Sequence, residues 1–62
     1  MLKTVHRDTH DDEMRIYWRH DKIHIDGCFE GERIAWRGIY TPKQAREIAE
    51  RLNDLADIME GK

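Results

Sequence analysis

The fold is decided by residues 14–19, MRIYWR, in which apolar side chains occupy every second position. A period of two is typical of a β-strand that buries one face and exposes the other. Residues 23–29 and 34–40 continue the alternation, and the polar segments 20–22 and 30–32 separate the three runs. The sequence therefore predicts three strands joined by turns into an antiparallel meander.

One side of the predicted sheet collects the large apolar side chains, which should form its buried face. They are Met14, Ile16, Trp18, Ile23, Ile25, Phe29, Ile34 and Trp36. Gly27 takes an inward position on the second strand, where it leaves a gap in this apolar row. A glycine at such a point predicts either a β-bulge or a close contact with a neighbouring strand.

A helix is predicted over residues 41–60. Thr41 can cap it, Pro42 suits the first helical position, and Gln44 completes a capping box. Gly61 is the kind of residue that commonly ends a helix. Apolar residues then recur at three- and four-residue steps along one stripe: Ala45, Ile48, Ala49, Leu52, Leu55, Ala56 and Met59. The stripe and the apolar side of the sheet both need cover, so we expect the helix to lie across the sheet.

The predicted architecture is a single α+β domain over residues 1–62, with the order ββ(β)α. It is a three-stranded antiparallel meander over residues 14–40, packed on one C-terminal amphipathic helix. Residues 1–7 could add a short edge strand, whereas residues 8–13 lack any apolar period and are expected to form a flexible loop.

The length of 62 residues makes the domain marginal, because a chain this short buries only about 60% of its unfolded surface. Cys28 is the only cysteine, so no intramolecular disulfide can compensate. The absence of a signal peptide or a long apolar run favours a cytoplasmic protein that does not span a membrane. Oligomerisation remains as a way to stabilise so small a domain, and we expect a homodimer.

The chemistry-bearing residues do not predict a catalytic or metal site. His24, Asp26 and Cys28 share one face of one strand, but a rise of about 3.3 Å per residue places His24 roughly 13 Å from Cys28. That distance is too long for one metal ion or one shared proton, unless a bulge at Gly27 shortens it or His20 or the His6/His10 pair supplies further ligands. The chain contains no serine and is too short to enclose a substrate pocket. We therefore predict a non-enzymatic protein with no cofactor and no metal.

The outward face of the predicted sheet is the candidate binding surface. It combines cationic and aromatic groups with an exposed aliphatic side chain: Arg15, Tyr17, Arg19, His24, Arg37 and Ile39. Three-stranded sheets can read a DNA groove with such a surface. However, the formal net charge of −2 is not the basic field of a typical nucleic-acid binder. Apolar groups outside the predicted core, such as Ile39 and Ile58, instead suggest contacts with a protein.

Two resemblances involve the last strand and the helix. Residues 36–41, WRGIYT, followed by Ala45 and Ala49, resemble the strand-to-helix junction of AP2-type and integrase amino-terminal DNA-binding domains. In those families the alanine falls one residue later and the strands are more basic. Residues 40–49 also look like the helix opening of small uncharacterised actinobacterial and phage proteins.

Two functions are therefore predicted, and a structural role inside a larger assembly is a third that the sequence does not separate from the first. The first is a protein-interaction or regulatory module, such as a phage-type accessory protein that binds a larger host protein. The alternative is a small DNA-binding protein that uses the exposed sheet face, which the first resemblance implies. The two differ in salt dependence, because phosphate contacts weaken steeply as salt rises and an apolar interface need not.

Overall fold

The computed structural model describes residues 3–29 and 33–61. Four strands precede one helix: β1 (Thr4–Arg7), β2 (Glu13–Arg19), β3 (Lys22–Phe29), β4 (Arg33–Tyr40) and α1 (Pro42–Glu60). The α+β class is as predicted, but the sheet has four strands instead of three. The additional strand is β1, which the sequence suggested only as a short edge strand. The predicted turn at residues 30–32 lies outside the described residues.

The strands form one open antiparallel sheet in the order β1-β2-β3-β4. Each strand pairs with its neighbour along the chain, so the predicted meander is confirmed. His20 and Asp21 connect β2 to β3, and His20 takes the left-handed φ of 57° that suits a tight hairpin. Strands β1 and β4 are the two edges of the sheet.

The connection between β1 and β2 is organised by Asp8. Its Oδ1 atom accepts hydrogen bonds from the backbone N–H groups of His10 at 2.7 Å and Asp12 at 3.0 Å. The backbone N–H of Asp8 also donates to the carbonyl of Asp12 at 3.0 Å. These backbone donors hold the pKa of the Asp8 carboxyl below its usual value. The segment predicted as a loop is thus a closed turn, which brings β1 back onto β2.

A β-bulge interrupts the pairing of β3 with β4. Gly27 pairs with Trp36 and Cys28 pairs with Ile34, so that Ala35 has no partner across the ladder. A Cβ atom on Gly27 would overlap the indole ring of Trp36. Both features predicted for Gly27, the bulge and the close contact, are therefore present. The extra residue moves Ile34 to the side of Cys28, and its predicted place in the apolar row is wrong.

The ends of α1 follow the sequence prediction. The Thr41 hydroxyl accepts a hydrogen bond from the Gln44 N–H at 3.1 Å, and the Gln44 side chain accepts one from the Thr41 N–H at 3.0 Å. Gly61 ends the helix with a φ of 77°, and its N–H donates to the carbonyls of Asp57 and Ile58. The capping box and the glycine stop are thus confirmed.

The packing of α1 differs from the prediction. The helix contacts β3 and β4, but only Ala45 and Ile48 are half-buried, and no helix residue is fully buried. Leu52 is 61% exposed and Met59 is 87% exposed. The prediction that the helix covers the sheet is therefore wrong for its second half. Within the described residues, no helix is both long and apolar enough to cross a membrane.

Two apolar surfaces consequently remain only partly covered. One is the apolar face of the sheet, which the register assigns to Met14, Ile16, Trp18, Ile23, Ile25, Phe29, Trp36 and Tyr40. The other is the helix stripe, formed by Ala45, Ile48, Ala49, Leu52, Leu55, Ala56 and Met59. About half of the surface of Trp18 is exposed, and Trp36 is exposed to a similar extent.

Candidate functional site

The opposite side of the sheet carries all six predicted binding residues. This polar face consists of Glu13, Arg15, Tyr17, Arg19, Lys22, His24, Asp26, Cys28, Ile34, Arg37 and Ile39. The register arranges them in rows across the strands, because directly paired residues share a face. One row is Arg15, Asp26 and Arg37, and the adjacent row is Tyr17, His24 and Ile39.

Asp26 lies at the centre of the polar face and is only 3% exposed. The Arg37 guanidinium donates to both carboxylate oxygens, from Nε to Oδ1 at 2.8 Å and from Nη2 to Oδ2 at 3.2 Å. The Tyr17 hydroxyl donates to Oδ2 at 3.0 Å. A buried carboxylate needs such partners, and a bidentate arginine is the strongest of them. The three strands β2, β3 and β4 are thereby joined through one side chain.

The protonation states follow from these contacts. The hydrogen bonds from Arg37 hold the pKa of the Asp26 carboxyl below its usual value, although burial opposes them, and Tyr17 acts in the same direction as Arg37. Burial raises the pKa of the Tyr17 phenol, and the neighbouring Asp26 carboxylate raises it further. Asp26 also raises the pKa of Arg37. At neutral pH the cluster is therefore an ion pair with a protonated phenol.

The second row is held by ring contacts. The Tyr17 and His24 rings stack with their centroids 5.1 Å apart and an angle of 21° between their planes. The ammonium group of Lys3 lies 5.0 Å from the Tyr17 centroid, within range of a cation–π contact. The His24 Nδ1 atom is buried and has no hydrogen-bond partner among the described residues. Tyr17 thus connects the two rows, because its hydroxyl binds Asp26 and its ring stacks on His24.

Glu13 organises a second ionic cluster beside the first. Its Oε2 atom accepts from Arg15, from Nη2 at 3.0 Å and from Nε at 3.3 Å. Its Oε1 atom accepts from Arg7 Nη2 at 2.8 Å. These contacts raise the pKa of Arg15, with the Glu13 hydrogen bond as the main cause. Two of the predicted cationic residues, Arg15 and Arg37, are therefore engaged with carboxylates of their own chain.

A cleft of about 270 Å³ lies at the end of the sheet, beside the β1–β2 turn. Its lining is mixed and includes His6, Glu13, Cys28 and Trp36. Cys28 is a free thiol and is only 2% exposed. In the part of the chain that the structure describes, no three His, Cys, Asp or Glu side chains come together as a metal site.

The sequence prediction missed Asp26, the residue that connects the others. In the sequence it was grouped with His24 and Cys28 as a metal-competent side chain. The available signal was its position in a meander, which places it between Arg15 on one neighbour and Arg37 on the other.

Comparison with known proteins finds no match: no protein-family model matches the chain, and neither does any curated protein or solved structure.

Proposed function

We propose that this chain is a non-catalytic binding module that contacts a larger protein through the polar face. The observation that carries the proposal is Ile39, which is 56% exposed and lies in the row of Tyr17 and His24. An exposed aliphatic side chain beside ordered aromatic and arginine groups is the composition of a protein interface, in which tyrosine and arginine contribute most of the binding energy.

The state of the arginines supports a protein partner more than DNA. A guanidinium that already binds a carboxylate of its own chain attracts a phosphate less strongly, because the carboxylate offsets its positive charge. Arg15 and Arg37 are both in this state, with distances of 2.8–3.3 Å to their acceptors. The same contacts hold the two side chains in place, which lowers the entropy lost when a partner binds.

A regulatory role is the more specific form of this proposal. The resemblance of residues 40–49 to small actinobacterial and phage proteins motivates it, and a phage-type accessory protein that binds a host protein fits a chain of this size. The chain contains no serine, which excludes a serine nucleophile.

DNA binding by the same face is the second candidate. Basic residues outnumber acidic ones on the polar face, and Arg19 is an exposed cation at its end. The resemblance of residues 36–41 to sheet-reading DNA-binding domains motivates the same idea. A DNA complex of this kind would depend on Arg15, Tyr17, Arg19 and Arg37.

A photo-crosslinking side chain at position 39, in the cell from which the chain comes, tests the protein-binding proposal. We expect a discrete adduct with one larger protein, and we expect the adduct to disappear when Arg19→Ala is added. The matched control is the same crosslinker at Asp54, an exposed helix position away from the helix stripe. Equal adducts from both positions would contradict the proposal.

Fluorescence anisotropy with a random 20-base-pair duplex tests the DNA alternative. We expect no binding at 150 mM salt. Binding that falls steeply between 50 and 200 mM salt, and that Arg15→Ala with Arg37→Ala abolishes, would replace the protein partner with DNA.

A further inference from the structure

The helix stripe and the apolar face are exposed in the same chain, and each is the kind of surface that would cover the other. Leu52 and Leu55 on the helix are 61% and 40% exposed, and Trp18 and Trp36 on the sheet are 54% and 49% exposed. Side chains of this size are normally buried. The chain therefore contains both halves of a hydrophobic core without bringing them fully together.

The solvent-accessible surface area of the chain indicates how much surface a partner would have to bury. The chain exposes 5421 Å², whereas a compact folded monomer of 7.5 kDa exposes about 4,200 Å². The excess is about 1,200 Å², compared with about 800 Å² that each partner buries in a standard stable interface. The radius of gyration of 13.0 Å likewise exceeds the value of about 10.5 Å expected for a compact domain of 62 residues.

We propose that a second copy of this chain covers the apolar face, with the helix stripe of each protomer packed on the apolar face of the other. A two-fold axis makes such an interface reciprocal, so one association covers both exposed surfaces of both chains. The dimensions agree. A helix of 19 residues is about 28 Å long, and a strand of 8 residues is about 26 Å long.

The cations of the sheet lie outside this interface, because the register places Arg15, Arg19 and Arg37 on the polar face. This dimer leaves the polar face free, so the proposal does not depend on what that face binds.

Light scattering after size exclusion, combined with thermal unfolding at several protein concentrations, tests whether the chain pairs. We expect twice the mass of 7.5 kDa and a Tm that rises with protein concentration, because unfolding then includes dissociation. A folded monomer at 100 μM, with a Tm independent of concentration, would overturn the proposal.

Isotope-filtered nuclear Overhauser effects between labelled and unlabelled protomers test the geometry. We expect intermolecular signals between the methyl groups of Leu52 and Leu55 and the indole protons of Trp18 and Trp36. Intermolecular signals confined to the β4 backbone would mean that the copies pair by their sheet edges, and this result would overturn the proposed arrangement.

A pair of substitutions on the same helix separates the interface from local folding. Leu52 lies on the helix stripe, whereas Ile58 lies on another side of the helix, and both are more than 60% exposed in the single chain. We expect Leu52→Glu to raise the dimer dissociation constant about 100-fold or to prevent folding, and Ile58→Glu to change it less than about threefold. Equal effects of the two substitutions would overturn the proposal.

Discussion

Arg37 and Asp26 lie directly opposite each other on β4 and β3, and the guanidinium of Arg37 binds both oxygens of the Asp26 carboxylate. The two residues are eleven positions apart in the sequence. Their contact therefore exists only because the strands pair in this register, and it gives the ladder a specific side-chain link at a buried point of the polar face.

The first prediction concerns the loss of this link. Asp26→Asn should lower the free energy of unfolding at pH 7 by about 1–3 kcal/mol, because it removes a charge from a buried hydrogen-bonded pair. The folded pKa of Asp26 lies below the unfolded value of about 4, so its contribution is present above pH 4 and is lost as the pH falls below it. Urea unfolding at pH 7 and pH 3 should show that the free energy of unfolding falls less for the variant than for the unmodified chain.

Asp21 provides the control for that experiment. It also pairs with a cation, Lys22, at 2.9 Å, but its side chain is 82% exposed. Asp21→Asn should therefore change stability at either pH much less than Asp26→Asn. If the free energy of unfolding depended on pH in the same way for the Asp26→Asn variant and the unmodified chain, the role assigned to Asp26 would be contradicted.

The second prediction concerns the phenol of Tyr17. Tyr17→Phe should reduce stability modestly, and less than Asp26→Asn does, because one hydrogen bond to the buried carboxylate is lost. In a Tyr40→Phe background, absorbance near 295 nm should show Tyr17 titrating above the ordinary pKa of about 10. Adding Asp26→Asn should bring that pKa down. A titration unaffected by Asp26→Asn would argue against the hydrogen bond.

The third prediction concerns the close approach at the β-bulge. Gly27→Ala should destabilise the chain by about 1–3 kcal/mol, because the added methyl group overlaps the indole of Trp36. In a Trp36→Ala background, Gly27→Ala should destabilise the chain much less. Thermal unfolding of the four variants gives the coupling directly, and additive effects would show that the indole does not lie over Gly27.

The fourth prediction concerns the helix cap. Thr41→Ala should reduce stability by about 1 kcal/mol, since the N–H of Gln44 loses its acceptor. Thr41→Ser keeps the hydroxyl and should be close to neutral. Chemical unfolding followed by far-ultraviolet circular dichroism measures both, and a Thr41→Ser variant as unstable as Thr41→Ala would exclude the hydroxyl as the cause.

Local signals in the sequence were sufficient to predict the ends of the helix and the bulge at Gly27. The capping box depends on residues only three positions apart, and a glycine in an apolar row is visible without knowledge of its neighbours. The alternation in residues 14–19 likewise shows which side of β2 is apolar. These features depend on short stretches of chain, which is why they could be predicted before the strand register was known.

Features that depend on long-range pairing were not predictable in the same way. Ile34 was placed on the wrong side because one extra residue, Ala35, reverses the alternation beyond it. The central position of Asp26 requires the register of three strands. The alternation also shows that the stripe of α1 must be covered, but it does not show which surface covers it.

The strand order has a consequence for how the chain acquires its structure in time. Every strand pairs with the strand next to it in sequence, so each pairing closes only a short loop, and hairpins of this kind form in about 1–10 μs. Association with another molecule is bimolecular, and its rate depends on concentration. In the proposed dimer, hairpin pairing within each chain would precede association, and the protein concentration would set how long Trp18 and Trp36 remain exposed to water.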